Sequence, residues 1–316
     1  MQKRKLGRTG LDISPVVFGG NVFGWTADEK TSFALLDGWL DAGFNTIDTA
    51  DVYSSWAPGN KGGESETIIG KWLKQSGRKR EDVIIVTKVG SDMGNGNKGL
   101  KADWINHAVE DSLKRLQTDY IDLYLSHWPD SETPYEETLA AFDALKKAGK
   151  IRAIGCSNLD ANQLGESLEV ARDKGLPRYD VLQPEYNLYT RDKFEGPLAD
   201  LCVAEDIGVI TYFSLASGFL SGKYRTLADA EGKARGGGMK AYLNDKGSRI
   251  LDALQMVAGE TGATPAEIAI AWLLVKPGVT APIASATSLS QLESLRRAAS
   301  LKLEPQAIAR LDAAGA

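Results

Sequence analysis

Residues 83–88 read VIIVTK, an apolar run that ends on a charged side chain, and its neighbours repeat the pattern. NTIDTA (45–50) leads to Tyr53, and IDLYLSH (121–127) ends on His127. Each run is apolar and β-branched or aromatic until its last residues, where a polar group enters. Amphipathic stretches alternate with these runs. VVFGG (16–20) precedes TADEKTSFALLDGWLDAG (26–43), in which Phe33, Leu36, Trp39 and Leu40 recur at helical spacing before the stop at Gly43. NTIDTA is followed by SETIIGKWLKQSG, VIIVTKVG by LKADWINHAVEDSLKRL, IDLYLSHWP by YEETLAAFDALKKAG, and IRAIGCSN by ANQLGESLEVARDKG. VLQPEYN (181–187) with FEGPLADLCVAEDIG, VITYFSLA (209–216) with a helix near 245–261, and APIASAT (281–287) with SLSQLESLRRAAS complete eight units.

Eight strand–helix units predict an α/β chain folded as a (β/α)8 TIM barrel, with residues 1–316 forming a single domain. Residues 2–14 alternate polar and apolar around a Gly-Arg-Thr-Gly turn and read as a short N-terminal β-hairpin covering the barrel's N-terminal end. The long loop after strand seven, residues 217–244, is rich in glycine and charge and suggests a flap over a ligand. Chemistry in such a barrel sits at the C-terminal ends of the strands, where Asp48, Tyr53, Lys88 and His127 fall.

Composition narrows the partners. With 43% hydrophobic and 25% charged residues the chain has material for a sizeable core. A formal charge of −5 speaks against a nucleic-acid or anionic-membrane surface, so the expected partner is a small molecule. Cys156 and Cys202 can form one bridge at most and lie in no CxxC spacing, which fits a reducing cytoplasm. The basic N-terminus lacks the apolar stretch of a signal peptide, and no run approaches a membrane span. With two histidines and no cysteine cluster, no metal centre of the usual donors is expected.

The four polar residues suit the reduction of a carbonyl. A tyrosine hydroxyl with its ordinary pKa of about 10 is a weak acid, and a neighbouring lysine ammonium is expected to lower it. An aspartate would hold that ammonium charged and in place, and a histidine would donate to the oxygen as it becomes negative.

In GFNTIDTADVY (43–53), IIVTK (84–88), LYLSHWPD (123–130), GKIRAIGCSN (149–158), LQPEYN (182–187), TYFSLASGFLSGKY (211–224) and PIASATSLSQLESL (282–295), the chain resembles the aldo-keto reductases. The resemblance covers nearly the whole chain. It implies a (β/α)8 enzyme reducing aldehydes and ketones with NAD(P)H, with Asp48, Tyr53, Lys88 and His127 as the catalytic four and Tyr53 the proton donor. It places Ser157, Asn158 and Gln183 at the nicotinamide carboxamide and Tyr212 as the ring stacking on the nicotinamide. Leu215, Gly218, Ser221 and Lys223 would wrap the pyrophosphate, and Ser285, Thr287, Ser288, Gln291 and Leu295 would surround the adenosine 2′-phosphate. NADPH (NADP) is the favoured cofactor and NAD the alternative. The strand-eight segment carries no cation before Arg296, so Lys223, Arg296 or Arg297 would have to supply one.

GFLSGKY has neither the glycine spacing nor the Ser/Thr of a P-loop, and no GxGxxG follows the first strand. Trp39, Trp72 and Trp272 sit in helical apolar patterns and read as packing, whereas Trp25, Trp56 and Trp128 follow strands and are candidates to line the substrate pocket. His107, on a helical stretch, reads as solvated. Two other readings stand beside the reductase: a cofactor-binding sensor or accessory subunit with little turnover, and a Schiff-base lyase using Lys88. A monomer or small homo-oligomer is expected.

Overall fold

A computed structural model describes residues 2–316. Strands β1 (Arg4–Lys5) and β2 (Asp12–Ile13) pair antiparallel, Arg4 opposite Ile13. There follow β3 (Val17–Gly19), α1 (Glu29–Asp41), β4 (Thr46–Asp48), α2 (Glu64–Gln75), β5 (Ile84–Val89), α3 (Ala102–Leu116), β6 (Ile121–Ser126) and α4 (Tyr135–Lys147). The second half runs β7 (Ile151–Ser157), α5 (Ala161–Lys174), β8 (Val181–Gln183), α6 (Pro197–Ala204), β9 (Gly208–Thr211), α7 (Asp245–Thr261), α8 (Pro265–Leu274), β10 (Val279–Ala284), α9 (Leu289–Ala298) and α10 (Pro305–Gly315). Strands β3 to β10 lie parallel in chain order and close when Ile283 of β10 pairs with Val17 of β3. This is the expected (β/α)8 barrel.

Helix boundaries follow from capping. Asp28 accepts from the Thr31 amide at 2.8 Å and starts α1, so residues 26–28 are the approach to that helix and not its first turn. Asp160 with Gln163, and Thr264 with Glu267, form reciprocal boxes at the starts of α5 and α8.

One helix assignment needs correction. The sequence pattern pairs the seventh barrel strand with the helix near 245–261, but α8 is the helix that packs against β10 and α9, while α7 lies outside it against α8 and α10. The cause is burial on all sides. In PAEIAIAWLL every residue from Glu267 to Leu273 is buried, so the polar/apolar contrast that marks an amphipathic helix is missing.

Two-residue alternation sorts the barrel side chains. Phe18, Ile47, Ile85, Tyr124, Ile154 and Leu182 point outward to the helices, and Val17, Ile84, Val86, Leu123, Leu125 and Val181 point inward. Leu6 and Ile13 of the hairpin join this inner cluster and close its lower end. The interior is tight around β7. A Cβ on Gly155 would lie 2.5 Å from the Val181 carbonyl and 2.6 Å from Leu125 Cδ2. Gly155→Ala is therefore expected to cost about 1–3 kcal/mol of stability through overpacking, read as a lower urea midpoint at unchanged slope; an unchanged midpoint would show that the barrel relaxes around the methyl.

Candidate active site

On six of the eight barrel strands the inward position two residues beyond the last inward aliphatic or glycine is polar or aromatic: Lys88 after Val86, His127 after Leu125, Ser157 after Gly155, Gln183 after Val181, Tyr212 after Ile210 and Ser285 after Ile283. Asp48 stands in the same layer, paired in register with Val86 on β5. The four residues singled out above converge. Lys88 is fully buried, and its Nζ lies 2.8 Å from the Asp48 carboxylate, 2.8 Å from the Thr49 carbonyl and 2.8 Å from Tyr53 Oη. Tyr53 Oη also donates to Asp48 Oδ2 at 3.0 Å, and its ring lies 6.1 Å from that of His127. All three ammonium protons have acceptors, an arrangement unlike that of a lysine held ready to attack a carbonyl.

Environment sets the protonation states. Burial, then the Asp48 charge, pushes the Tyr53 hydroxyl well above its ordinary range. The sequence expectation was the opposite, with Lys88 lowering it. Asp48 stands at nearly the same distance as Lys88, so the ammonium's pull is offset and desolvation decides. Burial also lowers Lys88, against the opposing effect of Asp48. Burial first, and Lys88 second, hold His127 well below the usual histidine range, so the ring is neutral at physiological pH.

The amides expected at the carboxamide brace the four residues from the far side. Gln183 Nε2 donates to Asp48 Oδ1 at 2.8 Å, Asn158 Nδ2 donates to the His127 carbonyl at 2.9 Å, and Ser157 Oγ donates to the Gln183 carbonyl at 2.7 Å. Tyr212 donates to Asn158 Oδ1 at 2.7 Å, fixing its ring beside them. After β9 the backbone turns through left-handed Ser217 (φ 58°) and Gly218 (φ 97°), where Ser221 Oγ donates to the Gly218 carbonyl, Leu215 is half-buried and Lys223 is exposed. Ser288 caps α9 by accepting from the Gln291 amide, and the Gln291 side chain accepts from Thr287. Leu295 is buried in the core, so it lines no phosphate site.

Two of the cations considered for that region are committed elsewhere. Arg296 makes a double contact with Glu293, and Arg297 reaches Glu267 at 2.6 and 2.9 Å. The sequence reading missed Arg235. The loop 217–244 folds into short 3-10 turns, and Arg235 lies over the Trp25 ring at 5.4 Å. With its amide oriented to satisfy both neighbours, Asn21 accepts from Arg235 at 3.1 Å and donates to Ser285 Oγ at 2.7 Å. Arg235 pairs with no carboxylate among the described residues. No pattern in KARGGGMK marks this arginine; its place emerges only when β9 and β3 are brought together.

Trp25 and Trp56 meet edge to face at 5.7 Å, and Trp128 stacks on His127 at 5.6 Å. Trp56 and Trp128 are each nearly half exposed, which makes an aromatic mouth above Tyr53. Trp39, Trp72 and Trp272 are buried as expected, and His107 lies on the surface beside Asp111. No group of His, Cys, Asp and Glu suited to a metal occurs among the described residues, and no helix among them is long and apolar enough to cross a membrane.

Asp51 was also missed. It is buried just outside the strand layer, neither carboxylate oxygen has a hydrogen-bond partner among the described residues, and burial followed by the Glu66 charge pushes it up to about 8. Glu66 is itself held by Arg115 at 2.7 Å and Thr87 at 2.6 Å.

A parallel barrel whose rim carries proton donors around a buried lysine is laid out as an oxidoreductase of carbonyl compounds. The chain belongs to the Aldo/keto reductase family, whose model matches residues 15–316. Members of this family generally use NAD(P)H. The chain is 36% identical over 308 residues to aldo-keto reductase YhdN of Bacillus subtilis (93% of this chain, 88% of the relative). It is 34% identical over 320 residues to the uncharacterized oxidoreductase YrpG of the same organism (99% and 95%). It is also 34% identical over 322 residues to a probable voltage-gated potassium channel subunit beta of Oryza sativa (99% and 96%).

Asp51 has a consequence for stability. Between its unfolded value of 3.8 and its folded value of about 8, the folded chain keeps a proton that the unfolded chain has released. Stability from this group is full below the lower value and is lost as pH rises through the window, by up to about 1.4 kcal/mol per pH unit. Urea unfolding of wild type and Asp51→Asn from about pH 5 to about pH 8 should show the wild type losing stability relative to the variant; parallel curves would place the proton elsewhere.

Proposed function

We propose that the protein is a reductase of aldehydes and ketones that uses NADPH in preference to NADH, with Asp48, Tyr53, Lys88 and His127 as its catalytic residues. The observation that carries this reading is the contact of Tyr53 Oη with both Lys88 and Asp48 beside a neutral His127. The reduced nicotinamide, when bound, would supply the hydride to the carbonyl carbon. Tyr53 gives its proton to the carbonyl oxygen as negative charge develops there, and Lys88, 2.8 Å away, stabilises the phenolate left behind. Asp48 keeps Lys88 charged, and His127 donates to the same oxygen. The high proton affinity of Tyr53 keeps the hydroxyl protonated until that charge appears.

The donor set fits the cofactor. Ser157, Asn158 and Gln183 offer amide and hydroxyl groups for a carboxamide, and Tyr212 offers a ring face. The left-handed turn at Ser217 and Gly218, with Leu215, Ser221 and Lys223, suits a pyrophosphate. Ser285, Thr287, Ser288 and Gln291 are assigned to the 2′-phosphate, and Arg235, next to Asn21 and Ser285, brings the cation that Ser288 does not. Trp25, Trp56 and Trp128 form the substrate wall, favouring apolar or aromatic carbonyl compounds.

The accessory-subunit reading draws support from the channel-subunit relatives. Turnover separates the two. With 4-nitrobenzaldehyde and NADPH, Tyr53→Phe is expected to lower kcat roughly 100- to 10,000-fold with cofactor affinity unchanged; a wild type that binds NADPH and reduces nothing in an aldehyde panel favours the accessory role. Arg235→Met is expected to lower the ratio of NADPH to NADH affinity roughly 10- to 100-fold, the effect of one charge-assisted contact; an unchanged ratio by fluorescence titration removes Arg235 from the phosphate site.

A further inference from the structure

We propose that Ser91 is a positioning residue that fixes the tautomer of His127, with the indole of Trp128 setting the direction of the serine hydroxyl. Ser91 lies in the loop after β5, buried, with Oγ 2.9 Å from His127 Nδ1. Trp128 Nε1 reaches the same oxygen at 3.1 Å. These distances alone do not say which ring nitrogen carries the proton; the chemistry of the three groups does.

An indole N–H only donates, so it occupies a lone pair of Ser91. The serine has one proton left to place. If His127 carried its proton on Nδ1, Ser91 would accept from both rings, and its own buried proton would face no acceptor among the described residues. With Nδ1 unprotonated, Ser91 donates to it and each group is used once. The ring then bears its proton on Nε2, the edge away from Ser91. Burial and Lys88 keep the ring neutral, so this one proton is all it has to offer.

The ring is held elsewhere too. Its plane is within 9° of that of Trp128, its backbone amide donates to Val89 at 2.8 Å, and its carbonyl accepts from Asn158. Removing the serine hydroxyl thus keeps these other contacts of the ring, frees the choice of tautomer and takes from the Trp128 indole N–H its Ser91 acceptor. Trp128 therefore has two duties, as wall of the mouth and as the donor that polarises the relay. A substrate-pocket change from Trp128 to Phe would keep the stacking and lose the directionality.

The consequence for the rate rests on the reductase reading, whereas the tautomer does not, and the test uses both. The chain has two histidines, His107 and His127. In protein labelled with 15N-histidine, long-range 1H–15N spectra report each ring's tautomer, and His107→Gln assigns the signals. Wild-type His127 is expected to be the Nε2–H form; Ser91→Ala should give a mixture, and Ser91→Thr should restore the single form. In kinetics Ser91→Ala should lose roughly 10- to 100-fold in kcat at unchanged NADPH affinity, with Ser91→Thr recovering most of it. An Nδ1–H ring in the wild type, or a Ser91→Ala variant with unaltered tautomer and kcat, overturns the proposal. A wild type that shows the Nε2–H ring but reduces no carbonyl compound upholds the tautomer assignment and overturns the reductase reading.

Discussion

The ammonium of Lys88, buried beneath the rim of the barrel, is the constraint on which the site depends. An ammonium out of water costs several kcal/mol unless its protons are all taken up. Here the acceptors are Asp48, the Thr49 carbonyl and Tyr53 Oη, drawn from one stretch of chain. That stretch cannot wander. The Thr49 amide bonds to the Val86 carbonyl and the Asp51 amide to that of Lys88, so the chain beyond β4 keeps tracking β5 until Tyr53 is delivered over the lysine. Satisfying one charge fixes the register of two strands and the position of the Tyr53 hydroxyl.

Beneath this layer lies an aliphatic cluster that Leu6 and Ile13 of the hairpin close. Dry packing below and an aromatic mouth above place the four polar groups in a setting where charge is weakly screened. The result is two neutral donors beside one ion pair: Tyr53, kept protonated by burial and Asp48, and His127, kept neutral by burial and Lys88. Outside the strands Glu66 and Arg115 form a second pair, with Asp51 beside it. Protonated, Asp51 leaves both layers balanced; ionised, it adds a negative charge close to Lys88 and Tyr53.

The strands were legible because each short apolar, β-branched run ends on a polar group, which placed Lys88 and His127 at strand ends; the alternation that turns them inward shows only in the barrel, since β5 and β6 are buried on both faces. The helix α8 was not legible, because a segment buried on all sides shows no period. The direction of the Tyr53 shift is decided by its burial once Asp48 offsets Lys88, and no spacing encodes that burial. Ser91 and Asp51 escaped for another reason: what acts on them is brought near only by the fold, His127 and Trp128 in one case and the charge of Glu66 in the other. Each looks like an ordinary loop residue when its segment is read alone.

Charge near a site in sequence is likewise not charge available to it. Arg296 and Arg297 follow the β10 segment closely, yet Arg297 holds Glu267, a buried carboxylate that also accepts from Ser294 and from the Thr264 amide at the start of α8. Turning Arg297 toward a ligand would leave Glu267 without its countercharge inside the packing of α8 against α9, a loss comparable to breaking a buried pair. Arg235 has no carboxylate partner among the described residues to abandon. It lies between an indole face and a side-chain amide, contacts that an incoming anion can complement without first breaking an ion pair. By distance along the chain, an arginine in the glycine-rich loop after β9 ranks below the adjacent pair Arg296 and Arg297. The strength of the partner that each would have to release reverses that order.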